Sequence, residues 1–301
     1  MDNCIEIKNL NKFYGKKQAL YDVNLKIEQG MFGLLGRNGA GKTTLMKILA
    51  TLLQKKSGQV TVCGIPIENE KEIRKTIGYL PQEFSIYPTM NVYEAMDYLA
   101  ILSGLGKQKR KERIEMLLAQ VNLTESKNKK IKALSGGMKR RLGIAQALLG
   151  NPKVLIVDEP TAGLDPEERI RFRNLLSETA EERIVILSTH IVGDIEATCE
   201  NIAVLDEGKV LYSGTVDDLL AAADGKVFTR IADRQEVSRL KKELFITGMH
   251  TQGKHVYIRY LSEHTAPDSV LSEPNIEDAY MLYLKENGAE LSLPKDIGGE
   301  N

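Results

Sequence analysis

Gly36-Arg37-Asn38-Gly39-Ala40-Gly41-Lys42-Thr43, followed by Thr44, fits the spacing G-x-x-x-x-G-K-[ST]. Each residue type in it suits a phosphate. Glycines let backbone N–H groups wrap an anion without Cβ clashes. A helix starting at the end of the loop adds unpaired N–H groups and a positive dipole end. Lys42 can reach β and γ phosphates, and the Thr43 hydroxyl can ligate Mg²⁺. A chance glycine-rich turn is the alternative. It is countered by context: the apolar run Met31-Phe-Gly-Leu-Leu35 reads as a buried strand before the loop, and Leu45, Ile48, Leu49 and Leu52 fall at helical spacing after it.

A second chemical pair is Asp158-Glu159, at the end of the apolar run Val154-Leu-Ile-Val157. The carboxyl edge of a buried strand is where open α/β sheets bind ligands. There Asp158 can hold Mg²⁺ through water, and Glu159 can polarise an attacking water on Mg·ATP. Elsewhere, two acids after a strand form an ordinary solvated turn.

The elements that must carry these groups are legible in outline. Alternating apolar positions over Cys4–Leu10 and Asp22–Ile27 predict antiparallel strands around a turn at Tyr14-Gly15. Residues 58–67, Ile77–Leu80, Val154–Val157 and Ile184–Leu187 read as further strands, and Ile202–Leu205 with Lys209–Leu211 as a hairpin. Helices are predicted over about 91–120, Arg140–Leu149 and Glu167–Glu178. Apolar strands separated by helices indicate a mostly parallel α/β sheet. Beyond about residue 222, two half-buried strands (Lys226–Ile231, His255–Tyr260) and a short helix (Ile276–Lys285) suggest a separate α+β region. Gly288 onward reads as a polar, frayed tail.

Composition bounds the partners. Lys plus Arg and Asp plus Glu number 41 each in 301 residues, so the formal net charge is zero. Coating of nucleic acid by bulk charge is therefore disfavoured. No run approaches the roughly 18–20 apolar residues of a membrane span, and the first ten residues lack a secretory pattern. Cys4, Cys63 and Cys199 are widely separated, which fits small buried apolar residues in a reducing compartment better than a metal or disulfide framework. The basic runs Lys107–Arg113 and Lys127–Lys130 read as solvated helix faces, with contact to anionic lipid as the sharper alternative.

These motifs together resemble the nucleotide-binding subunit of ATP-binding cassette (ABC) transporters, over about residues 3–220. Gly36–Thr44 corresponds to the family's Walker A loop and Asp158-Glu159 to Walker B. Leu134-Ser135-Gly136-Gly137-Met138 resembles the LSGGQ signature, with Met in place of the usual Gln. Ala162-Gly-Leu-Asp165 matches the D-loop, Gln82 in Tyr79-Leu-Pro-Gln82-Glu the Q-loop, and His190 in Ser188-Thr-His190 the switch histidine. Tyr14 sits where the family places an adenine-stacking aromatic. Alone, Tyr14 would read as a strand-end aromatic and Gln82 as a surface amide. His250, His255 and His264 lack any such setting and read as structural or surface residues.

The resemblance implies a P-loop NTPase core (mixed α/β sheet) with N-terminal antiparallel strands, a helical insert at about 84–150 and a small α+β C-terminal extension. The implied domains are 1–222, an ATPase domain, and 223–301, an accessory region. It implies ATP and Mg²⁺ as ligands. Lys42, Gln82, Glu159 and His190 would be catalytic, and Thr43, Gln82 and Asp158 would hold the metal. Tyr14, residues 36–44, Ser135, Gly136, Gly137 and Asp165 would contact nucleotide, the signature and D-loop residues doing so across a head-to-tail dimer. The partners implied are a transmembrane permease, docking near Phe84–Met90, and a second ATPase subunit, identical or not. The place implied is the cytoplasmic side of the membrane. Thr161–Pro166 and Asn275–Tyr280 look like bacterial exporters, although importer subunits share the main motifs. A soluble cassette acting on ribosomes or DNA is the rival. Ribosomal relatives usually carry two cassettes, and chromosome relatives insert long coiled coils; neither pattern is present here. A Walker-type kinase or GTPase is opposed by Leu134–Gly137 and by the lack of an N-K-x-D motif.

Overall fold

The computed structural model describes residues 3–266 and 268–288. The chain separates into two compact units, Met1–Ser213 and Gly214–Asn301. The tail expected beyond Gly288 lies outside the described residues.

In the first unit, β1 (Ile5–Tyr14) and β2 (Lys17–Ile27) form the expected antiparallel pair. Next come β3 (Gly30–Leu35), α1 (Lys42–Leu49), β4 (Ser57–Val62), β5 (Ile65–Pro66), α2 (Glu70–Thr76) and β6 (Ile77–Leu80). The helical segment holds α3 (Val92–Leu102), α4 (Lys107–Gln120) and α5 (Gly136–Ala147). The core then resumes with β7 (Val154–Asp158), α6 (Pro166–Ala180), β8 (Ile184–Thr189), α7 (Val192–Glu196), β9 (Asn201–Asp206) and β10 (Lys209–Thr215). Among the described residues the strands build a four-stranded sheet, β2-β1-β4-β5, and a six-stranded sheet, β10-β9-β3-β8-β7-β6. Pairs β9/β3, β3/β8, β8/β7 and β7/β6 are parallel. This is the mixed P-loop core expected from the sequence.

Every residue of β7 and β8 is buried, as helices on both faces require. A shared core, including Leu45, Ile48, Val60, Ile156 and Ile186, joins the two sheets through α1. Parallel register places Leu34, Ser188 and Asp158 side by side, so the carboxyl ends of β3, β8 and β7 open onto one edge.

Several elements differ from expectation, among them the stretch 58–67, which is two strands, β4 and β5. The helical stretch at 91–120 is two helices, broken at Gly104, whose φ of 76° fits glycine far better than other residues. Helix α5 starts at Gly136 rather than Arg140, because the Ser135 hydroxyl accepts from Met138 N at 3.2 Å and caps it.

The second unit contains α8 (Val216–Ala221), β11 (Val227–Asp233), α9 (Val237–Glu243), β12 (Phe245–Gln252), β13 (His255–Leu261), β14 (Ser269–Leu271) and α10 (Ile276–Glu286). Its sheet order is β12-β13-β11-β14, all antiparallel. An Asn275/Asp278 capping box starts α10, and the fully buried Asp278 also accepts from Arg259 Nε at 2.7 Å. His255 faces Asp233 at 3.4 Å and His250 stacks on Tyr257 at 4.7 Å, in keeping with structural or surface roles.

Candidate functional site

The phosphate loop runs from the end of β3 to the start of α1. Its first glycine is fixed by crowding: a Cβ on Gly36 would stand 2.2 Å from the Leu205 carbonyl oxygen of β9. Gly41, the residue before α1, has φ 107°, a left-handed conformation that turns the chain into the helix. Arg37 clamps the loop from outside. Its Nε and one terminal nitrogen donate to the two Asp206 carboxylate oxygens at 3.1 Å each. The Gly208 N–H donates to Ala40 O at 2.9 Å, so the β9–β10 turn braces the loop twice. Neither Asp206 nor Gly208 was legible as a loop partner, since both lie far along the chain.

Lys42 is only 5% exposed. Its Nζ donates to Gly36 O at 2.5 Å and Arg37 O at 3.2 Å, and lies 3.3 Å from Glu159 Oε1. Glu159 is buried as well, and its φ of 47° is the left-handed region, unusual for a residue with a side chain. Such a backbone costs on the order of 1–3 kcal/mol and persists where the surroundings hold it. Here the Glu159 N–H donates to Ser188 O at 2.9 Å. The result directs one carboxylate oxygen at Lys42 and the other at His190 Nδ1, 2.6 Å away.

Asp158 ends β7 wholly buried, and among the described residues neither carboxylate oxygen has a hydrogen-bond donor in good geometry. Burial pushes its carboxyl above the ordinary carboxylate range, and the nearby Thr43 and Ser188 hydroxyls pull it partly back. An unpaired buried carboxylate beside a hydroxyl is a poor structural element and a good ligand set for a hard cation.

A cleft of about 1010 Å³ opens above these groups. Tyr14, Arg37 through Thr44, Gln82 and Glu159 line it. Tyr14, at the end of β1, is half exposed, and its hydroxyl lies 3.5 Å from Thr44 Oγ1. Gln82 is exposed just past β6. Gly36, Asp158 and His190 are not among the lining residues; Gly36 and Asp158 adjoin lining residues in the chain, and His190 is tied to the cleft through Glu159. Ser135, Gly136, Gly137 and Asp165 do not line this cleft. Asp165 accepts from Glu168 N at 2.9 Å and caps α6. A Cβ on Gly137 would meet the Glu168 carboxylate oxygen at 2.4 Å, so α6 packs directly onto the first turn of α5. Arg141 holds the same carboxylate at 3.2 Å.

Comparisons with known proteins point to one family. Residues 20–162 match the family described as ABC transporter. The uncharacterised ABC transporter ATP-binding protein sll0415 of Synechocystis sp. is 32% identical, over 96% of this chain and 87% of its own. The linearmycin resistance ATP-binding protein LnrL of Bacillus subtilis is 35% identical over 75% of this chain and 74% of its own. Among solved structures, the dimeric ABC transporter cassette MJ0796 superposes with a TM-score of 0.64 at 28% identity, covering 70% of this chain and 98% of that one. The same cassette, solved in a post-hydrolysis state with ADP and Pi, matches with the same TM-score at 27% identity.

Proposed function

This chain belongs to the family of ABC transporter ATP-binding proteins, and on that premise we propose how its own residues bind and cleave ATP. It is an ATPase, the ATP-driven subunit of a transporter. The observation that carries the residue assignment is the convergence, at one edge of the sheet, of the buried Lys42 after β3 with the strained Glu159 and the unpaired Asp158 at the end of β7, Lys42 Nζ standing 3.3 Å from Glu159 Oε1.

Phosphates are cradled by the N–H groups of residues 36–44 and by Lys42, whose Nζ already hangs among loop carbonyls. Adenine stacks on the exposed ring of Tyr14. Asp158 and Thr43 would hold Mg²⁺, with Gln82 reaching it from the cleft wall; the metal, when bound, neutralises charge on the phosphate oxygens. Glu159 takes the proton of the attacking water, and His190, paired with it at 2.6 Å, contacts the γ-phosphate. Ser135, Gly136, Gly137 and Asp165 act on the nucleotide of a second cassette, which is supported by their standing outside this chain's own cleft. The γ-phosphate then joins two subunits, and its loss releases them. That is the differential contact a power stroke needs.

No helix among the described residues is long and apolar enough to cross a membrane. We place the chain at the cytoplasmic face, coupled to a separate permease. Similarity to the Nod factor export ATP-binding protein I of Cupriavidus pinatubonensis, 36% identical over 73% of this chain, favours export. Coexpression with any membrane protein encoded beside this chain checks the coupling to a permease. A partner with about six apolar spans should copurify in detergent and stimulate ATP hydrolysis. Copurification with ribosomes or DNA, and with no membrane protein, would replace the transporter reading.

A pH and stability prediction follows from Asp158. Its folded-state carboxyl is raised, so the folded state holds the proton more tightly than the unfolded chain. Stability is then lost as pH rises from the ordinary carboxylate value through the raised one. Asp158→Asn should therefore melt higher than the parent at neutral pH in chelator, with the difference vanishing near pH 3. Each kcal/mol gained would add about 2–4 °C. The same variant should lose the Mg²⁺ dependence of nucleotide binding. Unchanged melting at pH 7 would mean that Asp158 is not the unpaired charge described.

A further inference from the structure

Thr161 lies two residues after Glu159, and Asp194 lies four residues after His190. Both are buried, Thr161 at 1% exposure and Asp194 at 0%. The Thr161 hydroxyl donates a short hydrogen bond to Asp194 Oδ2. The two chain segments are therefore joined twice: at one end by Glu159 and His190, and at the other by Thr161 and Asp194.

The second contact is poorly explained as fold stabilisation. Asp194 Oδ1 has no hydrogen bond among the described residues. The nearest cation, Arg173, stands 3.9 Å away and donates to Gly193 O instead. A buried carboxylate served by one hydroxyl is costly, and an apolar pair of similar size would pack at less cost. What the pair achieves is placement. Helix α7 is only five residues long, and it is pressed against β3, where a Cβ on Gly33 would meet Ile195 Cδ1 at 2.5 Å. The Asp194 N–H donates back to Ile191 O at 3.1 Å, so its side chain is rigidly related to the turn that carries His190. On the other segment, between β7 and α6, Leu164 N donates to Thr161 O at 3.1 Å, closing the turn that leaves Glu159.

We propose that the Thr161–Asp194 hydrogen bond is a positioning contact that holds Glu159 and His190 in register for hydrolysis. Neither residue lines the nucleotide cleft, so both act through the Glu159–His190 pair. The inference rests on the assignment of those two residues to the hydrolytic centre. A misplacement of about 1 Å in such a pair can cost up to about a hundredfold in rate.

The test is steady-state ATP hydrolysis by the full chain, assayed well below the melting temperature of each variant. Thr161→Val keeps the shape and deletes the hydroxyl. It should lower kcat at least about tenfold and leave KM for ATP within about twofold. Thr161→Ser should restore kcat to within about twofold of the parent. Asp194→Ala should show the same loss, and Thr161→Val/Asp194→Ala should lose no more than either single variant, since one contact is broken in all three. If the valine variant does not fold, Thr161→Ala deletes the same hydroxyl and must show the same loss. Parental kcat in a folded hydroxyl-deleted variant, a raised KM at constant kcat, or losses that multiply in the double variant would each overturn the proposal. Glu159→Gln, measured in parallel, keeps the two questions apart: if it turns over ATP normally, the parent assignment fails rather than the positioning role alone.

Discussion

Glu159→Gln should bind ATP with nearly parental affinity, hydrolyse it about 10²–10⁴-fold more slowly, and accumulate as a dimer in saturating Mg·ATP. The rate loss is what a positioned general base contributes. The substitution is isosteric, so an amide oxygen still occupies the place that Glu159 Oε2 holds beside His190 Nδ1. Binding survives because the phosphate cradle is made of loop N–H groups and Lys42, none of which is altered. Dimer accumulation follows from the second half of the scheme. If the γ-phosphate is the group that both cassettes touch, a subunit that keeps ATP without cleaving it cannot release its partner. Light scattering with and without Mg·ATP reads this directly. A variant that remains monomeric at saturation refutes the sandwich, whatever its turnover.

The same substitution bears on the backbone at Glu159. Its left-handed φ of 47° is held by the N–H bond to Ser188 O and by the side-chain contacts to Lys42 and His190. Replacing charge with amide removes the ion pair at 3.3 Å between two nearly buried groups. Breaking a buried pair from one side typically costs about 3–5 kcal/mol, because a lone charge remains. Here Lys42 keeps its bonds to Gly36 O and Arg37 O, which lessens that cost. The variant should thus be less stable without nucleotide and recover on binding ATP, whose phosphates resupply negative charge to Lys42.

Much of the site was readable because its residues are local. Gly36–Thr44 is one loop, and Asp158-Glu159 ends one apolar strand, so spacing alone carries the chemistry. The parallel core was readable because Val154–Val157 and Ile184–Leu187 are apolar throughout, the pattern of strands covered on both faces. Contacts between distant segments were not. Arg37 to Asp206 spans 169 positions, and nothing in either residue names the other. Nothing in the sequence joins Thr161 to Asp194, 33 positions further on, until the fold buries them together. In the second unit, β12 escaped detection because Phe245–Gln252 holds a glycine and an exposed half, Met249–Gln252, and α9 because only Leu240 in it is buried. The start of α5 was missed because Gly136 and Gly137 are poor helix formers; the Ser135 cap and the close approach of Glu168 override that preference.

Lys42→Ala should weaken ATP binding by about 10- to 100-fold, the equivalent of one or two charge-assisted hydrogen bonds at about 1.5–3 kcal/mol. The structure sharpens this into a pattern across ligands. Lys42 reaches only the distal phosphates, whereas Tyr14 and the loop N–H groups serve the rest of the nucleotide. Calorimetry should therefore find large losses for ATP and ADP and a small one for AMP. Uniform losses would have another meaning. Lys42 Nζ also ties Gly36 O and Arg37 O together, so its removal could slacken the whole loop and weaken every ligand alike. Two features oppose such slackening. A Cβ-free Gly36 is wedged under Leu205 O, and Arg37 is forked onto Asp206, and neither depends on Lys42. Parental ATP affinity in the variant would remove Lys42 from phosphate binding. A loss concentrated on ATP and ADP would separate contact from scaffold, with the loop's shape assigned to the β9–β10 brace and its charge to a single lysine.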